Sequence, residues 1–467
     1  MKTIIIPTAA LAVLTLGLAG CASSDADTTD GASAGASTSP SASHDEMEHS
    51  EATATEVDAP VSRLTVAHEG GVSVLELAGD TLEPVGEVAV DGHFRANAGA
   101  DGRYVYLANS EAGTVQIVDA GAYAEPHGEH YHYYVTEPAL LDDALTGANP
   151  VHVVGHAGQV AVFYDDSGAV DIIDEASVAT GTMAVSQQSA DFPHHGVAVP
   201  LEGGLVLTEA AEGESLPASV RQTDSAGESV ALYEDICPGL HGETMVDEVV
   251  YFGCTTGVAT VNTSDKSSGF ITYPADAAEG RIGTFYGTED VLAAPWDEDT
   301  IVLLDTAHES FTFVDVEGTI GTVARGAHDE VLVLTTDGML AVLDESGEEL
   351  AHISAIGEFE LPEGHGGVRP AIAVLDETIV ISDPNASTLE LVDGDEWALL
   401  STVGLDAAPT ALVATGGSME DAHAHEEEAV EEDHDHGEHA EDGDHDEDEA
   451  HDDAHDHDNE DHDDHDH

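Results

Sequence analysis

Short apolar runs separated by turn residues recur along the chain from residue 60 to residue 417. The run Tyr104–Ala108 is followed by Gly113–Asp119, and the same order returns in Val160–Tyr164 with Gly168–Asp174. Each copy consists of a strand pattern, a Gly/Asp/Asn turn and a second strand pattern that ends in an acidic residue. Convincing helical periodicity is missing from this region, so the pattern predicts an all-β fold.

About eight such units follow one another at a mean spacing of about 45 residues, the length of one four-stranded propeller blade. One blade cannot bury both of its faces, whereas a closed ring of blades can. We therefore predict a β-propeller over residues 60–418 with seven or eight four-stranded blades, eight being favoured; a pair of β-sandwiches or a β-helix is the alternative. The units begin near Arg63, Ala96, Val151, His195, His241, Ile282, Thr322 and Pro370.

The N-terminus has the pattern of an export signal. Met1-Lys2-Thr3 precedes an apolar run from Ile4 to Leu18 that is too short to span a bilayer comfortably. The sequence Leu18-Ala19-Gly20-Cys21 resembles the lipobox of bacterial lipoproteins, and an ordinary signal peptide is the alternative. We predict a lipoprotein signal peptide over residues 1–20, a lipid on Cys21, and a disordered tether over residues 21–59. The protein would then be exported and anchored on the outer face of the cytoplasmic membrane.

The C-terminal segment, residues 419–467, contains 12 histidines and 26 acidic residues and no lysine or arginine. Imidazole is a common ligand for divalent metal ions, so this pattern predicts a disordered metal-binding tail; a merely solvated acidic tail is the alternative. The tail histidines are His423, His425, His434, His436, His439, His445, His451, His455, His457, His462, His465 and His467.

The chain carries 96 acidic against 9 basic residues, a formal net charge of −87. Without a basic surface to neutralise phosphates, nucleic acid is excluded as a partner. Such a field concentrates cations near the protein, although it is equally typical of adaptation to a saline habitat.

Besides Cys21, the only cysteines of the sequence are Cys237 and Cys254. An exported protein favours a disulfide between them, and the alternative is a zinc site that includes His241.

Many histidines of the folded region fall at or just before the first strand of a unit. In a propeller these strands line the central channel, so histidines from several blades can converge and supply the three or four ligands that zinc needs. Caps of turns and polar core positions are the alternative. These histidines are His93, His152, His194, His195, His241, His328 and His365.

A second cluster, Glu125–His132, holds three histidines within six residues. We expect a mobile loop over the channel mouth that could close on a metal ion and release it. An ordinary exposed loop is the alternative.

Three stretches resemble the AztD family of exported zinc metallochaperones. They are His127-Gly128-Glu129-His130 running on through Glu137–Ala148, Pro193–Pro200, and Cys237–Glu243 together with Phe252-Gly253-Cys254. The resemblance covers most of residues 60–405. It implies a propeller that passes zinc to the solute-binding protein of a zinc ABC importer, a tight site near the channel made of histidines and an acidic residue, a histidine-rich loop beside it, and a Cys237–Cys254 disulfide. The metal candidates carried over are His127, His130, His132, His194, His195 and His241, with His93 added by position alone.

The chain departs from this family in having its main histidine tract at the C-terminus and a predicted lipid anchor. We predict an extracytoplasmic zinc metallochaperone, whose tail and loop capture zinc and whose propeller holds it more tightly. Zinc is favoured over copper because methionine is scarce, while nickel and cobalt remain open.

A passive cell-surface metal buffer or adhesin lipoprotein is one alternative to the chaperone function. A metal-dependent hydrolase is the other, but the sequence shows no nucleophile elbow, cofactor fingerprint or isolated acid pair, so we predict no enzymatic activity.

Overall fold

The computed structural model describes residues 54–127, 130–278, 280–287, 290–362 and 367–417. These residues form eight four-stranded antiparallel sheets and one three-stranded sheet, with one short helix, Glu175–Ala179. The predicted all-β propeller is confirmed, with eight blades. The predicted signal peptide, Cys21, most of the tether and every tail histidine lie outside the described residues. Within them, no helix has the length and apolar character needed to cross a membrane.

The strands are numbered here in chain order. They are β1 Thr55–Val57, β2 Ser62–His68, β3 Gly71–Ala78, β4 Thr81–Ala89, β5 Arg95–Ala98, β6 Tyr104–Asn109, β7 Thr114–Asp119, β8 Ala122–His127, β9 His130–Val135, β10 Ala139–Thr146, β11 Pro150–His156, β12 Gln159–Tyr164, β13 Ala169–Asp174, β14 Ala184–Ser189, β15 Ala198–Leu201, β16 Gly204–Glu209, β17 Ser219–Asp224 and β18 Ser229–Tyr233. They continue as β19 Glu243–Val246, β20 Val249–Gly253, β21 Gly257–Asn262, β22 Ser268–Thr272, β23 Tyr286–Gly287, β24 Val291–Pro295, β25 Thr300–Asp305, β26 Ser310–Asp315, β27 Ile320–Arg325, β28 Val331–Thr335, β29 Met339–Leu343, β30 Glu349–Ser354, β31 Ile372–Leu375, β32 Thr378–Asp383, β33 Thr388–Asp393, β34 Leu399–Gly404 and β35 Pro409–Gly416.

The ring is closed by strands from both ends of the propeller. Blade 1 has the order β35-β2-β3-β4, so its innermost strand comes from the C-terminal end of the described chain. Blade 2 is β5-β6-β7-β10, and blades 3 to 8 are the successive groups β11–β14, β15–β18, β19–β22, β23–β26, β27–β30 and β31–β34. Because the ring closes without any residue beyond Gly417, a chain that ends there keeps every described contact.

The core consists of eight apolar clusters, one between each pair of neighbouring blades. Successive residues of a strand point to opposite faces, so a continuous apolar run packs against both neighbours. In β28, Val331 and Val333 contact the cluster with blade 6, while Leu332 and Leu334 contact the cluster with blade 8. This arrangement explains why runs such as Val331–Leu334 are continuously apolar rather than alternating.

The two ends of the propeller carry different connections. In blade 2 the turn Ser110–Gly113, between the second and third strands, lies at the end that we call the cavity face. The segment between Asp119 and Ala139 leaves from the other end, the far face, because strand direction alternates within a blade. The Arg63 guanidinium, at the start of β2 on the far face, donates to the carbonyls of Ala120 and Thr136 at 2.8 and 2.9 Å.

Two features of the first blades differ from the sequence-based prediction. The unit predicted to begin near Arg63 starts with the second strand of its blade, because the first is β35. Residues 55–57, predicted to belong to the disordered tether, form β1 and pair with β9 in the three-stranded sheet β1-β9-β8. Strand addition satisfies backbone groups of β9 at an otherwise open edge, which composition alone does not reveal.

Candidate metal centre

A cluster of metal-ligating side chains lies at the cavity face and is contributed by two successive blades. His152 is in β11, the innermost strand of blade 3, and Asp165 follows β12 of the same blade. His195 is in the connection that leads into β15 of blade 4. The backbone fixes all three. His152 pairs with Phe163 between β11 and β12, Asp165 N–H donates to the Asn149 carbonyl at 3.0 Å, and His195 N–H donates to the Ser215 carbonyl at 2.9 Å.

The geometry of His152, Asp165 and His195 fits a metal ion. One ligand atom from each lies within 4.8 Å of the others. The Nδ1 of His195 is 2.6 Å from Oδ2 of Asp165, a contact that orients the ring. The Nδ1 of His152 and the Oδ1 of Asp165 are buried and have no hydrogen-bond partner within the described structure. Because buried polar atoms are almost always partnered, these two atoms indicate a ligand that completes the site.

The environment keeps the His152 imidazole neutral. Burial above all, together with the neighbouring His195, lowers its pKa to about 4. A neutral imidazole is the form that binds zinc, so this ring has no proton to release at neutral pH.

Two further residues stand next to this cluster. The His241 ring centroid is 5.4 Å from that of His195, and His152 and His195 are 4.8 Å apart. The His241 Nδ1 is 2.9 Å from the Gly283 carbonyl. Since the carbonyl can only accept, Nδ1 carries the proton, and Nε2 is the nitrogen that could bind a metal. Glu243 lines the small space behind the three rings, and burial raises its pKa to about 7. The site therefore contains three imidazoles and two carboxyl groups from blades 3, 4 and 5.

The cluster opens into a cavity of about 990 Å³ on the cavity face, lined by residues from several blades around the ring, including His152, His195 and His241. A metal held by His152, Asp165 and His195 would keep at least one coordination position facing this space. Such an open position allows an incoming ligand to bind before the metal leaves.

Two of the predicted channel ligands are not part of the cluster. His194 is buried, and its two ring nitrogens are 2.8 Å from the Phe192 carbonyl and 2.9 Å from the Thr208 hydroxyl. Since neighbouring residues of an extended segment point in opposite directions, His194 faces the core and His195 faces the cavity. His93 is exposed and belongs to none of the described groups of metal-ligating side chains; Arg95, two residues later, reaches the cavity instead.

His328 also fails to converge with the channel histidines. It lies in the turn between β27 and β28 on the far face, exposed, with Nε2 3.3 Å from the Asp395 carboxylate and near Glu377. His365 lies outside the described residues. The structure thus brings His152, His195 and His241 together and places His93, His194 and His328 apart from them.

The second histidine cluster is a β-hairpin rather than a loop over the cavity. His127 ends β8 and His130 begins β9, and the three rings of His127, His130 and His132 have centroids 5.0 to 5.2 Å apart. One nitrogen from each lies within 4.8 Å of the others. The hairpin leaves blade 2 at the far face, so the expectation that it lies beside the channel site is wrong. The reason is the alternation of strand direction, which sends the connection between third and fourth strands away from the cavity.

Glu56 of β1 completes this hairpin site. Its carboxylate is 2.6 Å from Nδ1 of His132, while Nε2 of His132 is 3.2 Å from Nε2 of His130. A carboxylate on Nδ1 fixes the ring orientation and leaves Nε2 available to a metal. The pairing of β1 with β9 places Glu56 opposite Tyr134, within reach of His132 two residues along the strand.

We predict that Glu56→Gln weakens zinc binding at the hairpin by about 10- to 100-fold, the usual effect of losing such an orienting carboxylate. Competition titration of a chain ending at Gly417, with His195→Ala to remove the cavity site, would measure this. Asp58→Asn, which removes an equal charge from an exposed position two residues away, is the matched control. Equal affinities for the two variants would show that Glu56 has no orienting role.

We also predict that His152 makes the metal-free fold sensitive to acid. Its pKa is about 4 in the fold against 6.5 in the unfolded chain, so the unfolded state binds more protons as the pH falls from 6.5 towards 4. The free energy of unfolding should therefore fall by about 2 kcal/mol more between pH 7.5 and 5.0 than in His152→Asn. Urea titrations at both pH values would test this, and a pH-independent difference between the two proteins would contradict it.

Sequence comparison and structure comparison agree with the resemblance of the motifs. No protein family defined by a sequence profile matches the chain. The curated zinc chaperone AztD of Citrobacter koseri is 26% identical over 364 residues, which cover 73% of this chain and 85% of that protein. The crystal structure of Citrobacter koseri AztD matches with a TM-score of 0.71 and 25% identity over 77% of this chain and 99% of that one. The dihydro-heme d1 dehydrogenase NirN matches in fold, with a TM-score of 0.52 and 13% identity over 75% of this chain and 74% of that one. The similarity to AztD is therefore confirmed in both sequence and fold.

Proposed function

Because the similarity to the zinc chaperone AztD extends over sequence and fold, we propose that this chain is an exported zinc metallochaperone rather than an enzyme. The observation that carries the proposal is the pair of buried, unpartnered ligand atoms, Nδ1 of His152 and Oδ1 of Asp165, beside His195. Two neutral imidazoles and one carboxylate are a donor set suited to zinc.

Zinc is the cargo of this site. His152, Asp165 and His195 would hold it, and the His241 ring, whose centroid is 5.4 Å from that of His195, would lie beside it. Asp165 orients His195 through Nδ1, so that Nε2 remains available to the metal. The position open to the cavity would accept a ligand from a partner, and the metal could then move by exchange of one ligand at a time without free release.

We propose that the partner is the solute-binding protein of a zinc ABC importer and that the carrier is lipid-anchored through Cys21 outside the cytoplasmic membrane. The histidine-rich tail and the hairpin of His127, His130 and His132 would collect zinc. Since the hairpin is exposed and the cavity cluster is half-buried, the hairpin should exchange metal faster. Collection and tight holding would thus take place on opposite faces of the propeller.

A transfer experiment tests this function. Full-length protein given less than one equivalent of zinc is mixed either with the importer's binding protein or with a chromogenic chelator of matched affinity. Direct transfer predicts a rate that rises with the concentration of the binding protein and exceeds the rate to the chelator. Equal rates, independent of the acceptor, would show release into solution and would support a passive metal buffer instead.

A further inference from the structure

The few basic residues of this chain are unevenly paired. The whole sequence has nine lysines and arginines, of which all but Lys2 lie in the described ranges. Lys266 donates to the Thr263 and Ser264 carbonyls. Four arginines form ion pairs with carboxylates: Arg63 with Glu76, Arg103 with Asp119, Arg221 with Glu209 and Arg325 with Glu345. These four act as internal counter-charges in a strongly acidic protein.

The other three arginines, Arg95, Arg281 and Arg369, all line the cavity that contains the metal cluster. Within the described part of the chain none of them has a carboxylate partner. Arg281 donates to the Gly239 carbonyl at 2.9 Å, whereas Arg95 and Arg369 are exposed residues of the cavity lining. A chain with 96 acidic residues has ample carboxylates. Three guanidinium groups in one cavity that lack a carboxylate partner among the described residues therefore require another explanation.

The cavity is divided into two chemically different halves. The three histidines come from blades 3, 4 and 5. Arg95 instead begins β5 of blade 2, Arg281 precedes β23 of blade 6 and Arg369 precedes β31 of blade 8. Asp297 is the only acidic residue among those that line this cavity in the described ranges. The metal-binding half therefore faces a half that offers planar, forked donors suited to carboxylates.

The charge of a bound metal ion and the charges of the three arginines act on each other across the cavity. A zinc ion held by two neutral imidazoles and one carboxylate keeps a net charge of +1, and nearby guanidinium groups disfavour it. An anion that bridges the metal and the arginines removes this repulsion and fills the open coordination position. Because the arginines are spread over three separate blades, one small monovalent anion cannot satisfy them, and a ligand with several carboxylates can.

We propose that this cavity binds a polycarboxylate ligand, whose carboxylates pair with Arg95, Arg281 and Arg369 and one of which reaches the metal cluster. The cavity would bind this polycarboxylate whether or not the chain transfers zinc to an importer protein. Two sources offer this chemistry: a free small polycarboxylate, or the acidic tail of this chain. The tail is long enough, since 49 residues can extend to at most roughly 160 Å, whereas a six-residue strand spans about 20 Å.

Citrate is the probe for the test, titrated calorimetrically into the metal-free and zinc-loaded protein at fixed ionic strength. Both the full-length chain and a chain ending at Gly417 are used, with circular dichroism to verify folding. Arg95→Gln and Arg369→Gln should each weaken citrate binding about tenfold or more, as expected for the loss of a charge-assisted hydrogen bond. Lys266→Gln, which removes an equal charge outside the cavity, should leave it unchanged, and Asp297→Asn should strengthen it.

The two sources give different results. If the tail occupies the arginines, the full-length chain binds citrate more weakly than the chain ending at Gly417, and Arg95→Gln removes that difference. If free polycarboxylates are the ligands, both chains bind citrate equally. Absence of citrate binding to the shorter chain, or equal affinities for the cavity arginine variants and Lys266→Gln, would overturn the proposal. Zinc affinity measured in the same proteins without citrate reports separately on the metal site.

Discussion

Replacing His195 by alanine is expected to lower the zinc affinity of the cavity site by about 100- to 1,000-fold. Three or four ligands share a zinc-binding free energy of roughly 10 to 16 kcal/mol, so the loss of one costs about 3 to 4 kcal/mol. The substitution also removes the 2.6 Å contact that holds Asp165 in place. Chelator competition on a chain ending at Gly417 would measure the effect without interference from the tail histidines.

The preceding residue provides the matched control. His194→Gln removes an imidazole one position away, but His194 is buried and bonded to Phe192 and Thr208 rather than directed at the cavity. We expect this variant to lose about 1 kcal/mol of stability and to keep its zinc affinity within a few-fold. If His194→Gln instead lost zinc affinity as His195→Ala does, the assignment of the ligands in the Pro193–Pro200 motif would be reversed.

Removing the disulfide is the second large change. Cys237 and Cys254 are bridged, with Cα atoms 5.1 Å apart and a separation of 17 positions in the sequence. Both are buried in the cluster between blades 4 and 5, at the ends of a loop that contains His241 and Glu243. The double variant Cys237→Ser, Cys254→Ser should lower the free energy of unfolding by about 3 kcal/mol, because closing a loop of this length restricts the unfolded chain.

Urea titration of the oxidised protein, the reduced protein and the double variant would test this prediction. Reduction and substitution should destabilise to a similar extent. Since His241 lies inside the bridged loop, the reduced protein should also bind zinc less tightly. A loss of less than about 1 kcal/mol, with unchanged zinc affinity, would show that the packing of blades 4 and 5 holds the loop without the bridge.

Most of the fold could be predicted from the sequence because its repeat is local. Each blade repeats the same order of apolar runs and turns, as in Tyr104–Ala108 and Gly113–Asp119, and the positions of the units agree with the strands to within a few residues. The closure of the ring could not be predicted in the same way. The run Pro409–Gly416 is the partner of β2 through a contact across almost the whole chain, and no local pattern marks it.

The candidate site was predictable only in part. The rule that the first strands line the channel selects His152, His195 and His241, but it cannot distinguish His194 from His195, whose directions depend on the local backbone. Asp165 was missed, although it follows a strand, because acidic residues end many strands of this chain. Glu56 was missed because its role depends on β1 pairing with the hairpin, and composition suggested an unstructured tether there.

The position of β1 has a mechanical consequence. Tension applied through the N-terminal segment reaches β1 first, which is held to β9 over three residue pairs, and only then β2, which is held to β35 over seven pairs and to β3 over six. The pairing of β1 with β9 should therefore separate first, while the pairing of β2 with β35, which closes the ring, stays intact. Peeling withdraws Glu56 from His132, so a pull on the N-terminal segment would loosen the hairpin site and leave the cavity site intact.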